Sequence, residues 1–266
     1  MQRIGLIIVG DEILSGKRSD KHLSKVIEIL SARGMRLHWA QYVGDDRAAI
    51  TELLRRTFAG DEVVFSCGGI GATPDDHTRQ AAAAALDVEV ELHPEAAALI
   101  TQRCAEMAAE GRGSTDMSTP ENQQRLKMGE FPRGARIIPN PFNRIPGFAV
   151  ERHYFVPGFP AMAWPMIEAV LDSEYRALFD TDRAGERSMM VFDTAESLVV
   201  PIMEEIEARF AGIKAFSLPS LGDGQDGRAR RRHIELGVKG EPSQVDAAFE
   251  TMRSRIEALG APFELS

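Results

Sequence analysis

Phe65-Ser66-Cys67-Gly68-Gly69-Ile70-Gly71-Ala72-Thr73-Pro74-Asp75-Asp76-His77-Thr78 is the stretch that decides the fold. The apolar run Val63-Val64-Phe65 leads into it and has the character of a buried strand. Thr78-Arg79-Gln80 and five alanines lead out of it and have the character of a helix. A glycine-rich turn therefore joins a strand to a helix start. Glycines let backbone N–H groups approach a ligand closely, and a helix N-terminus adds partial positive charge. Together they make a natural phosphate cradle. Asp75 and Asp76 repel phosphate unless a cation lies between or unless they cap the helix. A cap accounts for one of the two aspartates, but not for both together with three glycines.

A chain of 266 residues forms one large or two modest domains. A hydrophobic content of 44% supports a packed core and argues against disorder. The net charge of −9 and a pI of about 5.3 argue against a nucleic-acid backbone binder. The arginine run Arg228-Ala229-Arg230-Arg231-Arg232 is the exception, and in an acidic chain it is expected to be a solvated turn. Cys67 and Cys104 have neither metal-ligand spacing nor a disulfide framework. The apolar run Ile4 to Val9 is too short for a signal-peptide core or a membrane span. A cytoplasmic protein without membrane or nucleic-acid partners is expected, assembled as a homo-oligomer.

Working outward, Ile4-Gly5-Leu6-Ile7-Ile8-Val9 has the continuous apolar character of a strand covered on both faces. A helix is predicted over about Asp20 to Arg33, a second strand over Leu37 to Val43, and a second helix through Ile50, Leu53, Leu54 and Phe58. This alternation predicts an α/β fold with a doubly wound, mostly parallel sheet. The loops holding Asp11, Asp45-Asp46 and Gly68 to Asp76 each come after a strand, so they share the carboxyl edge of the sheet, where such folds bind ligands. A strand order beginning 2-1-3 would put the Asp11 loop and the glycine loop on either side of one crevice.

Further along, helices are predicted over Pro94 to Glu110 and Ala161 to Phe179, with strands at Val88–Leu92, Arg136–Pro139, Phe148–Val150 and Tyr154–Val156. The polar stretch Asp180 to Arg187 marks a boundary. Residues 1–180 are expected to fold as one domain independently of the C-terminal segment. Residues 187–266 carry a β-α-β-β-α pattern and form a small α+β domain.

Three segments now become recognisable: Gly10-Asp11-Glu12-Ile13-Leu14-Ser15-Gly16, Val43-Gly44-Asp45-Asp46, and Gly68-Gly69-Ile70-Gly71-Ala72-Thr73-Pro74-Asp75-Asp76-His77-Thr78. Together they resemble the molybdopterin-binding (MoaB/Mog-like) domain family, in its CinA N-terminal branch. Asn140-Pro141, Pro146-Gly147-Phe148 and Pro157-Gly158-Phe159-Pro160 come after them in matching order. The resemblance covers Ile4 to Phe179, and several motifs in order make it specific.

The resemblance implies that Asp11 and Asp76 are catalytic acids and that Asp45 or Asp46 supplies a third. It implies that Gly10, Gly68, Gly69, Gly71, Thr73, Pro157 and Gly158 bind the ligand or cofactor. Asn143-Arg144-Ile145 departs from the family's small residues and is expected to bring a cation near the pocket. CinA-type chains often carry a further domain that deamidates nicotinamide mononucleotide. This chain stops at Ser266, so that activity is expected to be absent.

The resemblance implies two activities, and the fold alone leaves a third reading open. The first is a metal-dependent pyrophosphatase acting on ADP-ribose or related dinucleotides. Asp11, Asp45, Asp46 and Asp76 offer hard oxygen ligands suited to Mg²⁺, Mn²⁺ or another transition metal. The histidines are dispersed; His77 alone adjoins the acids, where a surface or capping role is the simpler reading. The second is molybdopterin binding and adenylylation in cofactor synthesis. The third is a catalytically silent binding module.

Overall fold

The apolar run Ile4–Val9 forms β1 and is buried along its whole length. Ile4, Leu6 and Ile8 turn to one face of the sheet, and Ile7 and Val9 to the other. That is why the run does not alternate with polar residues: both faces are covered, and a strand's side chains point to opposite faces with period two.

The computed structural model of the protein describes residues 2–179, 185–222 and 231–265. The chain divides into two compact units, Met1–Phe179 and Asp180–Ser266. In the first unit β1 is followed by a single helical turn, α1 (Asp11–Leu14), then α2 (His22–Ser31), β2 (Trp39–Val43), α3 (Arg47–Phe58) and β3 (Val63–Cys67). After the glycine loop come α4 (Thr78–Leu86), β4 (Val90–Leu92), α5 (Pro94–Ala109), α6 (Pro120–Leu126), β5 (Glu130–Pro132) and β6 (Arg136–Ile138). The unit closes with β7 (Gly147–Val150), β8 (His153–Val156) and α7 (Pro160–Glu174).

The main sheet has the order β2-β1-β3-β8-β7-β6. β2, β1, β3 and β8 run parallel; β7 is antiparallel to β8, and β6, antiparallel to β7, runs in the direction of the others again. The sheet is thus mostly parallel and doubly wound. One core layer joins Leu6, Phe65 and Tyr154 to Val26 and Leu30 of α2 and Met166 and Ile167 of α7. The other joins Val64, Phe148 and Phe155 to Ile50 and Leu54 of α3 and Ala81 and Ala82 of α4. The alanine run makes α4 thin, and its buried Ala81 and Ala82 add little bulk between that helix and the sheet. β1 and β3 are neighbours, so the loops leaving them flank the reversal point at the carboxyl edge. β4 and β5 form a separate two-stranded ladder not evident in the sequence.

The second unit begins with β9 (Gly185–Phe192), followed by α8 (Glu196–Arg209), β10 (Ile213–Ser220), β11 (His233–Gly240), α9 (Pro242–Leu259) and β12 (Phe263–Leu265). Its sheet order is β10-β11-β9-β12, all antiparallel. Met189, Val191, Leu236 and Val238 face Val199 and Ile206 of α8 and Phe249 and Met252 of α9. Gly185–Arg187, expected to be linker, already belong to β9; Asp180–Ala184 lie outside the described residues. Of the arginine run, Arg228, Ala229 and Arg230 also lie outside them. Arg231 pairs with Asp193 and sits over the Phe192 ring, 5.0 Å from its centroid. No described helix is long and apolar enough to cross a membrane.

Candidate functional site

The glycine loop is built by tying its carbonyl oxygens back into the protein. Gly68 O accepts from Thr78 Oγ1 at 3.1 Å, and Gly69 O from the Thr78 amide at 3.0 Å. Gly71 O accepts from Arg79 Nη2 at 2.5 Å, and Ala72 O from Gln124 Nε2. Among the described residues, the backbone N–H groups of Gly69, Ile70, Gly71 and Ala72 have no such partner. Backbone donors are rarely left unpaired unless water or a ligand takes them. Consecutive free amides in a turn form an anion-binding concavity. Gly68 and Gly69 have φ of +108° and +68°, so the turn depends on glycine there.

Beneath the loop lies Arg79, 3% exposed. Its Nε and Nη1 have no hydrogen-bond partner, and burial lowers its pKa, opposed by the charges of Glu130 and Asp76. A buried cation on an alanine-rich helix was not foreseeable from the sequence.

Asp76 neither caps α4 nor stands free. Its carboxylate accepts from the Thr73 amide at 2.8 Å and from Thr73 Oγ1 at 2.5 Å, closing the end of the loop. The residue before α4 is His77, which makes no side-chain cap. Asp46 is the helix cap: it accepts from the Ala49 amide at 2.8 Å at the start of α3. Asp11 and Asp45 tie two loops together. The Asp11 amide donates to Asp45 Oδ2 at 2.9 Å, and the Asp45 amide to Asp11 Oδ1 at 3.2 Å.

A cleft of about 740 Å³ opens along this edge. Gly10, Gly68, Gly69, Gly71, Thr73, Asp45, Asp76, Pro157 and Gly158 all line it, whereas Asp11 and Asp46 do not. Among the described residues no three His, Cys, Asp or Glu side chains are grouped to hold a metal ion. The four expected aspartates are divided between a helix cap, a loop clasp and a reciprocal amide pair. The donor set therefore does not fit the expected metal, and no step is assigned to one. Arg144, expected near the pocket, does not line the cleft. It takes a positive φ of 65° and pairs with Glu106 at 2.7 Å.

The sequence did not single out the cleft's cations. Arg18 and Lys21, in the segment joining α1 to α2, line it, and neither has an ion pair or side-chain hydrogen bond among the described residues. His22, 5% exposed, donates from Nε2 to Gly158 O at 2.9 Å and so holds the Pro157-Gly158 loop against α2. Asp20 accepts from the His22 and Leu23 amides, fixing the start of α2. The available signal was position alone: this segment leaves the carboxyl end of β1.

Burial, together with the nearby charges of Asp11, Glu12 and Asp75, raises the Asp45 pKa; the hydrogen bond from the Asp11 amide partly opposes this. A carboxyl whose folded pKa lies above its unfolded value is penalised when ionised. That penalty is absent below the unfolded pKa, about 3.9, and complete above the folded pKa. Asp45→Asn keeps an acceptor for the Asp11 amide and removes the charge. The variant is expected to melt above wild type at pH 7, with the advantage fading as pH falls toward 4. Thermal melts at both values check this; a variant less stable at pH 7 contradicts it.

Residues 5–177 match a family model described as a probable molybdopterin binding domain. A CinA-like protein from Anaeromyxobacter sp. (strain Fw109-5) is 31% identical, over 96% of this chain and 63% of that protein. A CinA-like protein from Citrifermentans bemidjiense is 31% identical, over 76% and 47%. The chain thus spans about half to two thirds of these relatives' lengths. Among solved structures, CinA from Thermoplasma acidophilum, described as of unknown function, aligns with a TM-score of 0.54 and 26% identity. That alignment covers 64% of this chain and 98% of the other.

Proposed function

The chain belongs to the molybdopterin-binding domain family, and from that premise we propose that its cleft binds a phosphate-bearing heterocyclic small molecule and cleaves a phosphoanhydride in it, as in ADP-ribose. The observation that carries this reading is the run of free amides at Gly69, Ile70, Gly71 and Ala72 beside the unpaired cations Arg18 and Lys21. Amides and cations together would offset a pyrophosphate's charge, which otherwise resists nucleophilic attack, against the carboxylates of Glu12, Asp45, Asp75 and Asp76 that line the same cleft.

In the proposed reaction a water oxygen bonds to phosphorus, the bridging P–O bond breaks, and the water's proton passes to a carboxylate. Asp45 is the residue we assign to that proton, because it lines the cleft and its raised pKa makes it a stronger base than an ordinary carboxylate. Asp45→Asn should therefore lose turnover while gaining stability, a combination that a purely structural role would not give. The same cleft serves a second reading, binding of molybdopterin without hydrolysis, which the matched family description favours.

The test is calorimetric titration with ADP-ribose and with pterin, alongside an assay for AMP release. Arg18→Gln with Lys21→Gln should weaken either ligand at least about tenfold, the equivalent of one charge-assisted contact of about 1.4 kcal/mol. Binding that is unchanged in this double variant would remove the anion site from the cleft. AMP release separates the hydrolytic reading from the pterin reading.

A further inference from the structure

Phe159 stands in the wall of the cleft with 60% of its surface exposed. Isolated exposed aromatics are common and by themselves mean little. Phe142, 65% exposed, is one of these and lies outside the cleft. Phe159 differs in how firmly its backbone is held. Its carbonyl accepts from the amides of Met162 and Ala163, both at 2.9 Å, as the residue preceding α7. The preceding residue, Gly158, is clasped by the buried His22 at 2.9 Å. Proline flanks the pair on both sides, at Pro157 and Pro160. Gly158 also lies so close to the glycine loop that a Cβ on it would be 3.4 Å from Gly68 Cα. The ring is therefore mounted on a fixed segment beside the free amides.

We propose that Phe159 is a specificity-determining residue: its ring stacks on the planar heterocycle of the ligand, while the amides, Arg18 and Lys21 take the phosphate. This rests on the proposed binding function and narrows it to ligands that combine a flat aromatic base with a phosphate chain. Sugar phosphates and inorganic pyrophosphate satisfy only the polar half of the cleft. Stacking of a base on an aromatic side chain tolerates different rings, which suits a site open to purine or pterin.

The experiment compares ADP-ribose with inorganic pyrophosphate by calorimetry, on wild type, Phe159→Ala and Phe159→Trp. Melting curves accompany each variant, and the exposed position should leave them unchanged. Phe159→Ala is expected to weaken ADP-ribose about tenfold or more and to leave pyrophosphate within about twofold. Phe159→Trp should retain ADP-ribose affinity. Equal losses for both ligands, or none for either, would overturn the stacking role while leaving the anion site standing. A wild type that binds neither ligand would overturn both the stack and the function beneath it.

Discussion

Gly68→Val is expected to lower the melting temperature of the first unit by about 10 °C or more, whereas Gly71→Val leaves it close to wild type. At Gly68 two penalties coincide. The residue has φ of +108°, which a β-branched side chain avoids, at a cost of about 1–3 kcal/mol. A Cβ there would also lie well inside 3.0 Å of the Val9 carbonyl oxygen, a backbone atom of the neighbouring strand. Neither the ladder of parallel hydrogen bonds nor β1 gives way easily. A total near 4 kcal/mol corresponds to roughly 8–16 °C in a unit of this size. Gly71 carries no positive φ, and the nearest atoms its added Cβ would meet belong to the Asp76 carboxylate, the end of a side chain. That substitution should displace Asp76 from Thr73, loosen the loop and weaken ligand binding with little loss of stability. Fluorescence melts report both, since Trp39 and Trp164 lie in the first unit. A Gly68→Val protein melting within about 2 °C of wild type would show that the β1–β3 crossing does not constrain the loop.

The second large effect concerns acid. His153 is 2% exposed, and burial pushes its pKa down to about 3. The hydrogen bonds explain why it resists protonation. Thr57 Oγ1 donates to Leu54 O at 3.1 Å, so its lone pair accepts from His153 Nε2 at 2.9 Å. Nδ1 is left buried without a partner, and a proton added there finds no acceptor. The unfolded chain binds that proton near pH 6.5 and the folded chain does not, so stability falls as pH drops from about 6.5 toward 3. At pH 4.5 the loss is about 2–3 kcal/mol relative to pH 7. His153→Phe retains an aromatic ring beside Phe58 and removes the titration. Its unfolding free energy, followed by tryptophan fluorescence in urea, should be flatter than wild type by about that amount over this range. Parallel curves for the two proteins would mean that His153 protonates in the folded state.

The sheet was legible because the apolar runs of β1, β2 and β3 each end in a glycine or aspartate loop, and because Ile4–Val9 is apolar without alternation. Some very short elements left no such trace, although the equally short β4 and β6 were expected as the strands Val88–Leu92 and Arg136–Pro139. α1 has four residues and β5 and β12 three each, too few for any periodicity to register. The acidic residues were legible as a set but not in their individual roles. Asp46, one residue before a helix, carries an ordinary capping signature. Asp76 lies two residues before α4, behind His77, and ends the turn Thr73-Pro74-Asp75-Asp76, whose Asp76 amide donates to Thr73 O at 3.1 Å and brings the carboxylate back onto Thr73. Composition marks Arg79 as a surface residue of an alanine helix, and only the packing of α4 under the glycine loop buries it. Phe159 lies within a quoted motif, but nothing in Pro-Gly-Phe-Pro says that the ring faces a cleft.

The central claim is that the free amides of the glycine loop, with Arg18 and Lys21, form an anion site for a phosphate-bearing heterocycle. A crystal structure of the protein grown with ADP-ribose tests it most directly. The account requires phosphate oxygens within hydrogen-bond distance of the Gly69 to Ala72 amides, with Arg18 or Lys21 in contact and the adenine against Phe159. A ligand bound elsewhere, with those four amides still unpaired, would contradict it.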